Sequence, residues 1–222
     1  MISQLPKWVE IGAFFLAVIA GCINAIGLLG FEHQSVSHMS GTATLLGTEI
    51  LSLSFEKIFH LVGILLSFLG GACIAGFLLH GSTLKLGRHY DTALFIESLL
   101  LFASSLLLIS GSFYGHFLAS AACGLQNALA TTYSGAIIRT THVTGIFTDL
   151  GIMLGSIFKG EALDRRKAKL FVYIILGFIF GGTSGALLFT HFVFNALFIP
   201  AVVCMLVAIA YRLYAKNTVN NS

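Results

Sequence analysis

Six stretches of this chain, roughly residues 11–30, 58–80, 92–111, 113–134, 170–190 and 192–211, stay apolar over about 20 residues each. That is the length a helix needs to cross a hydrocarbon core of about 30 Å. A bilayer offers backbone N–H and C=O groups no water, so only helices and closed barrels cross it, and these runs lack the alternation of barrel strands. Charged residues make up 9% of the 222 residues, against about 25% in a soluble domain, too few to cover a water-facing surface. The expected fold class is an all-α polytopic membrane protein, one membrane domain over residues 1–222, with the lipid bilayer as its first partner.

The first run is not expected to be a cleaved leader, although Ile19-Ala20-Gly21-Cys22 has the form of a lipoprotein cleavage box. Lys7 is the one cation ahead of it, Glu10 offsets that charge, and the same stretch has a counterpart later in the chain. Cys22, Cys73, Cys123 and Cys204 lie inside apolar runs with no CxxC or Cys/His spacing, so neither a disulfide framework nor a metal site is expected. They read as small buried hydrophobes, and no cofactor is implied.

The chain also repeats itself, which bears on the fold before any single motif does. "GCINAIGLLGFEHQSVSHMSGTATLLG" (21–47) aligns with "GLQNALATTYSGAIIRTTHVTGIFTDLG" (124–151), setting Gly21 on Gly124 and Asn24 on Asn127. After one inserted residue His38 meets His142, Ser40 meets Thr144, Gly41 meets Gly145 and Thr44 meets Thr148. "GGACIAGFLLH" (70–80) resembles "GGTSGALLFTH" (181–191) once a basic insertion at 159–169 is allowed. Two homologous halves follow, about 9–111 and 112–214.

Two shorter, more polar segments, 39–54 and 143–158, decide how the halves are related. Each holds about 16 residues, or about 24 Å of helix. If both span, there are eight crossings and the twelve Lys and Arg divide nine to three; if both dip back, there are six crossings and the division is eleven to one, with Lys57 alone outside. Cytoplasmic loops carry the excess of Lys and Arg, which favours six crossings and both termini in the cytoplasm. Three crossings per half being odd, the halves are then 3+3 inverted repeats, each with a short re-entrant or broken helix. Segments this short also span with mismatch, so eight crossings stay open.

In the re-entrant arrangement residues 31–39 descend from one side and a helix starting near Ser40 climbs back, while 136–143 and a helix from Thr144 do the same from the other. Two helix N-termini then face each other near midplane, with Ser40 and Thr144 as N-caps and Gly41 and Gly145 allowing close approach of a solute or backbone. The first turns leave unpaired N–H groups and a partial positive charge. Broken helices at matching positions of inverted halves point to a transport site.

Asn24, His38, Thr44, Gln126, Asn127, His142 and Thr148 are candidates to line that pathway. Glu49 and Asp149 join them, because an ionised group at bilayer centre costs about 2.5–3.5 kcal/mol on insertion scales and usually faces a pathway; they would carry coupling protons or counter-charge. Each candidate has a plainer reading: a pair with Arg139 or His142 for Asp149, the outer surface for Glu49, interhelical hydrogen bonds for Asn24, Gln126 and Asn127, and loop positions for the histidines. Small pairs four apart, Gly21/Ala25, Gly124/Ala128, Gly71/Ala75 and Gly181/Gly185, read as helix-packing surfaces. "KGEALDRRKAK" (159–169) reads as a solvated basic loop touching anionic lipid, not as a nucleic-acid site.

"GLQNA" (124–128), "RTTHVTG" (139–145) and "TDLG" (148–151) resemble the second-half signature of the YoaK-like family of bacterial inner-membrane proteins, a domain of unknown function, and the likeness covers nearly the whole chain. The first half departs from that pattern at Asn24, where the family commonly has aspartate, and at Ser40-Gly41-Thr42, where it commonly has Thr-Gly-Asn. The resemblance implies about six helices in a bacterial inner membrane and supplies no substrate. The expected function is a small transporter or channel-like permease for an unidentified polar or anionic solute, the alternative being a non-transporting accessory or scaffold protein. An enzyme is not expected, since GxSxG, HExxH and paired-aspartate signatures are missing. Small-residue faces are compatible with a homodimer.

Overall fold

A computed structural model describes residues 8–30, 35–79, 89–134 and 137–220, Trp8 and 215–220 by backbone alone. Lys7, Lys85 and Arg88, which enter the charge count, and residues 31–34 of the first descending segment lie outside them. Among the described residues the chain is all-helical: α1 (Trp8–Leu29), α2 (Met39–Ser52), α3 (Phe55–Leu79), α4 (Tyr90–Ile109), α5 (Tyr114–Ser134), α6 (Val143–Phe158), α7 (Arg165–Phe192) and α8 (Phe198–Asn220), with a 3-10 turn at Val193–Leu197 joining the last two. Four stretches are long and apolar enough to cross a membrane: Val9–Leu29, Phe55–Leu79, Tyr90–Ile109, and the 50-residue Arg165–Tyr214 that runs through α7 and α8. α5 has 21 residues but carries His116, Ser120, Gln126 and Asn127; it runs through the middle of the bundle between α3 and α4. α2 and α6, with 14 and 16 residues, are the two short segments.

Glycines set how closely the long helices approach. On α7, a methyl at Gly181 would overlap the carbonyl oxygen of Val18 in α1, and one at Gly185 would fall 2.5 Å from that of Cys22. On α5 and α3, a methyl at Gly124 would overlap the Phe68 carbonyl, and one at Gly71 the Ala121 carbonyl. Small residues let helix backbones meet in this way, and the resulting van der Waals contact is what holds helices together in lipid. Val18–Gly181 and Cys22–Gly185 rise together, so α1 runs parallel to α7; His60–His116, Ile64–Ser120 and Phe68–Gly124 do the same, so α3 runs parallel to α5.

The bundle has one end where α1, α4 and α7 begin and α5 and α8 finish. Arg166 donates to Glu10 at 2.8 Å, tying the starts of α7 and α1. The rings of Tyr90, Tyr133 and Tyr211 cluster, with centroids 5.2 and 5.8 Å from Tyr90, and Val9 and Ala13 of α1 belong to the same core.

Two sequence expectations need correcting. String alignment set Gly70 on Gly181, but the close contacts pair Gly71 with Gly181: Ala121, met by Gly71, lies 103 residues after Val18, met by Gly181, the spacing that also separates Gly21 from Gly124. One residue turns a helix by about 100°, and Gly70 faces open space, with nothing within 4 Å of a methyl placed there. The cysteines are not all buried either, for Cys73 is exposed while Cys22, Cys123 and Cys204 are buried; α3 presents Cys73 on the outer side that also carries Phe77.

Gly71→Ala should therefore destabilise the protein by about 1–3 kcal/mol, the usual cost of overpacking, whereas Gly70→Ala should be neutral or slightly stabilising. Thermal unfolding of the two variants in detergent, side by side, checks this; equal midpoints would remove the close contact from the account.

Candidate functional site

The two short helices start alike. α2 has His38 as its N-cap with φ −93° and ψ 73°, and α6 has His142 with φ −92° and ψ 55°. The His38 carbonyl accepts from the Thr42 N–H at 3.0 Å and the His142 carbonyl from Ile146 at 3.2 Å. Ser40 and Thr144 are thus not the N-caps expected of them; both lie one residue inside their helices, because glycine lets the preceding histidine fold back. A methyl at Gly145 would overlap the His142 ring, and one at Gly41 would touch the His38 ring at 3.5 Å. Gly41 and Gly145 make room for imidazoles, not for a solute as expected. Neither histidine caps its helix with its own side chain, so the positive ends are turned to the space in front of them.

The chain leading into α2 is tied down from within the bundle. Asn24 Oδ1, five residues before the end of α1, accepts from Ser37 Oγ at 2.7 Å and from Ser35 Oγ. Ser35 Oγ in turn accepts from the His38 N–H at 3.0 Å. The second half is tethered differently: Ser134 Oγ accepts from the Ile138 N–H at 2.7 Å and donates to the Ala130 carbonyl at 2.8 Å. In the repeat, Arg139 stands where the first half has Ser35. Thr141 stands where it has Ser37, and the second half's asparagine, Asn127, keeps a buried Oδ1 with no hydrogen-bond partner among the described residues.

Between the two helix starts lies a cavity of about 840 Å³. Asn24, Ser37, His38 and Ser40 line one side and Asn127, Thr131, Arg139, Thr141, His142 and Thr144 the other, with the Phe68 and Phe178 rings as walls. Among the described residues Arg139 is the one Asp, Glu, Lys or Arg side chain in this lining. It is exposed to the space, and among the described residues no carboxylate is within ion-pair distance of it.

Six of the thirteen residues put forward from the sequence thus meet at one cavity: Asn24, His38, Ser40, Asn127, His142 and Thr144. The others stand elsewhere. Thr44 and Thr148 are exposed and donate to carbonyls of their own helices, Ser40 at 2.9 Å and Thr144 at 3.0 Å. Gln126 is fully buried and donates to the Leu16 carbonyl at 3.2 Å, an interhelical bond. Glu49 accepts from Ser52 Oγ at 2.7 Å and lies 3.5 Å from Lys57 Nζ; the Ser52 hydroxyl first, and Lys57 beside it, hold its carboxyl below the usual carboxylate range. Asp149 is exposed on α6, outside the lining, and pairs with neither Arg139 nor His142.

Sequence reasoning left out Arg139 as a lining residue, although it opens the RTTHVTG motif. It also passed over Glu97, a fully buried carboxyl in α4 beside Cys123 and Cys204 and away from the cavity. One acid inside a 20-residue apolar run leaves the average apolar, and only a residue-by-residue scan of the run marks it. Among the described residues no group of three or more His, Cys, Asp or Glu is placed to hold a metal ion.

The model of a family described as a protein of unknown function (DUF1275) matches residues 12–210, consistent with the YoaK-like resemblance. Neither a curated protein nor a solved structure is similar enough to match.

The Asn24 tether has a measurable consequence. Asn24→Leu leaves the Ser35 and Ser37 hydroxyls without their acceptor, at about 1–3 kcal/mol for each group that stays buried. Hydrogen exchange should then quicken in the peptide spanning Ser35–Gly41 and remain as in the parent across Val143–Phe158; unchanged exchange in both would mean that Asn24 holds nothing.

Proposed function

We propose a function for this chain, which belongs to the DUF1275 family: it is a small membrane transporter or channel-like permease whose solute, small and polar or anionic, passes through the cavity between the starts of α2 and α6. The observation that carries this reading is Arg139, a cation lining the cavity with no carboxylate beside it among the described residues. A charge at membrane depth is costly without a partner. An entering anion supplies one, and the two helix starts add positive potential of the same sense. Non-helical backbone at such depth is tolerated where protein buries it or where it lines a wet cavity. The threonine, serine and asparagine lining suits the wet case. Glu49 and Asp149, standing outside the lining, are given no coupling role.

The moving parts in this reading are two 3+3 inverted repeats with six crossings. Three observations support it: α5, the counterpart of α1, finishes where α1 begins; the contact of Gly21 with α7 recurs as that of Gly124 with α3; and the cavity is lined from α2 and α6 together. Rocking of one half against the other would expose the site to each side in turn. With the Lys and Arg excess at the end where α1 begins, both termini lie in the cytoplasm of a bacterial inner membrane.

Reconstituted into liposomes, the protein should pass small monovalent anions, and Arg139→Gln should slow that flux roughly tenfold or more, a loss of about 1.4 kcal/mol. Asp149→Asn should leave it unchanged. Flux absent for every anion and neutral polar solute tried, with folded protein present, would favour the accessory or scaffold reading instead.

A further inference from the structure

Nearer the start of α1 than the polar cavity is a second space, about 220 Å³, bounded by α1, α4, α5 and α8 and almost purely apolar. It lies where α8 meets α1 only loosely, while α4 packs closely along α5. Along α1 it extends from Val9 to Ile19, about 15 Å of helix at 1.5 Å per residue, the depth of half a hydrocarbon core of about 30 Å. Ile11 and Phe15, at its mouth, are 59% and 53% exposed, so the groove opens outward from the bundle.

Ile11 also walls a third space of about 550 Å³, formed with Glu10, Arg165, Arg166, Lys169 and Tyr173 at the shallow end of the groove. Three cations there face one carboxylate. Glu10 is engaged by Arg166 at 2.8 Å and lies 3.8 Å from Lys169 Nζ. Arg165 has no carboxylate partner among the described residues. The other nearby acid on this element, Asp164, caps α7 by accepting from the Lys167 N–H at 3.0 Å. Lys169 lies 5.2 Å above the Tyr173 ring, which holds its ammonium at the rim.

A basic pocket at headgroup level, adjoining through Ile11 an apolar groove one leaflet deep, matches the two ends of one molecule. We propose that these two spaces are a single binding site for an anionic phospholipid, its phosphate at Arg165 and Lys169 and an acyl chain lying against Gly12, Leu16 and Leu94. Basic pockets between membrane helices hold acidic headgroups in this manner, and the apolar groove is what a free phosphate would leave empty. The site is separate from the polar cavity and stands whether or not that cavity conducts.

Its test is thermal unfolding of the full chain in detergent with added phosphatidylglycerol, phosphatidylcholine of the same acyl chains, or inorganic phosphate. Phosphatidylglycerol should raise the midpoint well above the other two. Arg165→Gln with Lys169→Gln, both exposed positions, should weaken phosphatidylglycerol binding, read by titration, roughly tenfold or more. Gly12→Leu fills the groove where nothing lies within 4 Å of a methyl, and should reduce the benefit of both lipids; Lys57→Gln, a cation at the far end, should change nothing. Equal shifts with the two lipids, a shift reproduced by phosphate alone, or a phosphatidylglycerol preference that survives the double variant would overturn the proposal. Should Gly12→Leu not fold, the double variant decides alone.

Discussion

Everything in this bundle depends on backbone meeting backbone at Gly21, Gly181 and Gly185 between α1 and α7, and at Gly71 and Gly124 between α3 and α5. Lipid tails are as apolar as leucine, so no hydrophobic force presses these helices together, and close van der Waals contact has to do it. The contacts fall partway along the helices. One turn beyond Gly21 and Gly124 stand Asn24 and Asn127, where the helix pairs part enough to leave polar side chains facing a cavity. The packing that stabilises the bundle thereby decides where the polar space opens.

The two halves use that space unequally. Ser35 and Ser37 occupy Asn24, so the first half's polar groups are largely satisfied among themselves. In the second half Arg139 and Thr141 stand where the first half has Ser35 and Ser37, the tether passes to Ser134, the Asn127 Oδ1 is left buried with no hydrogen-bond partner among the described residues, and Arg139 lines the cavity. Unpaired polar groups in a low-dielectric setting are costly, and polar solute or water is what relieves them. The anionic preference proposed for the solute follows from the sign of the one fixed charge among the described lining residues and of both helix ends. The lipid site proposed beside α1 arises from a different asymmetry, the loose α8–α1 contact against the tight α4–α5 one.

Both short helices and the long ones up to α5 were legible in the sequence to within a few residues, because apolar runs of about 20 residues are a local property; the last run, read as 192–211, instead forms α8 at Phe198–Asn220, because a 3-10 turn at Val193–Leu197 takes up its start. What required the fold were the facings. Serine and threonine are common N-caps, yet the histidines two residues before Ser40 and Thr144 take that position here, since Gly41 and Gly145 leave room for an imidazole over the first turn. Adjacent glycines at 70 and 71 look interchangeable as letters and differ by about 100° around a helix. Charge alone marked Glu49 and Asp149, but a formal charge does not say which face it occupies: Glu49 answers Lys57 at a helix end and Asp149 lies outside the lining. Arg139 needed the repeat to be read for its differences as well as its matches.

The measurement that tests the inverted arrangement most directly is the sidedness of two turns at opposite ends of the bundle, with single cysteines at Ser110 and at Glu161, both exposed, in a cysteine-free background treated with an impermeant thiol reagent. Six crossings and inverted halves predict that Ser110→Cys labels in intact cells and Glu161→Cys only after permeabilisation. Labelling of both from the same side would mean eight crossings and parallel halves, and the facing helix starts would then have no cavity to share.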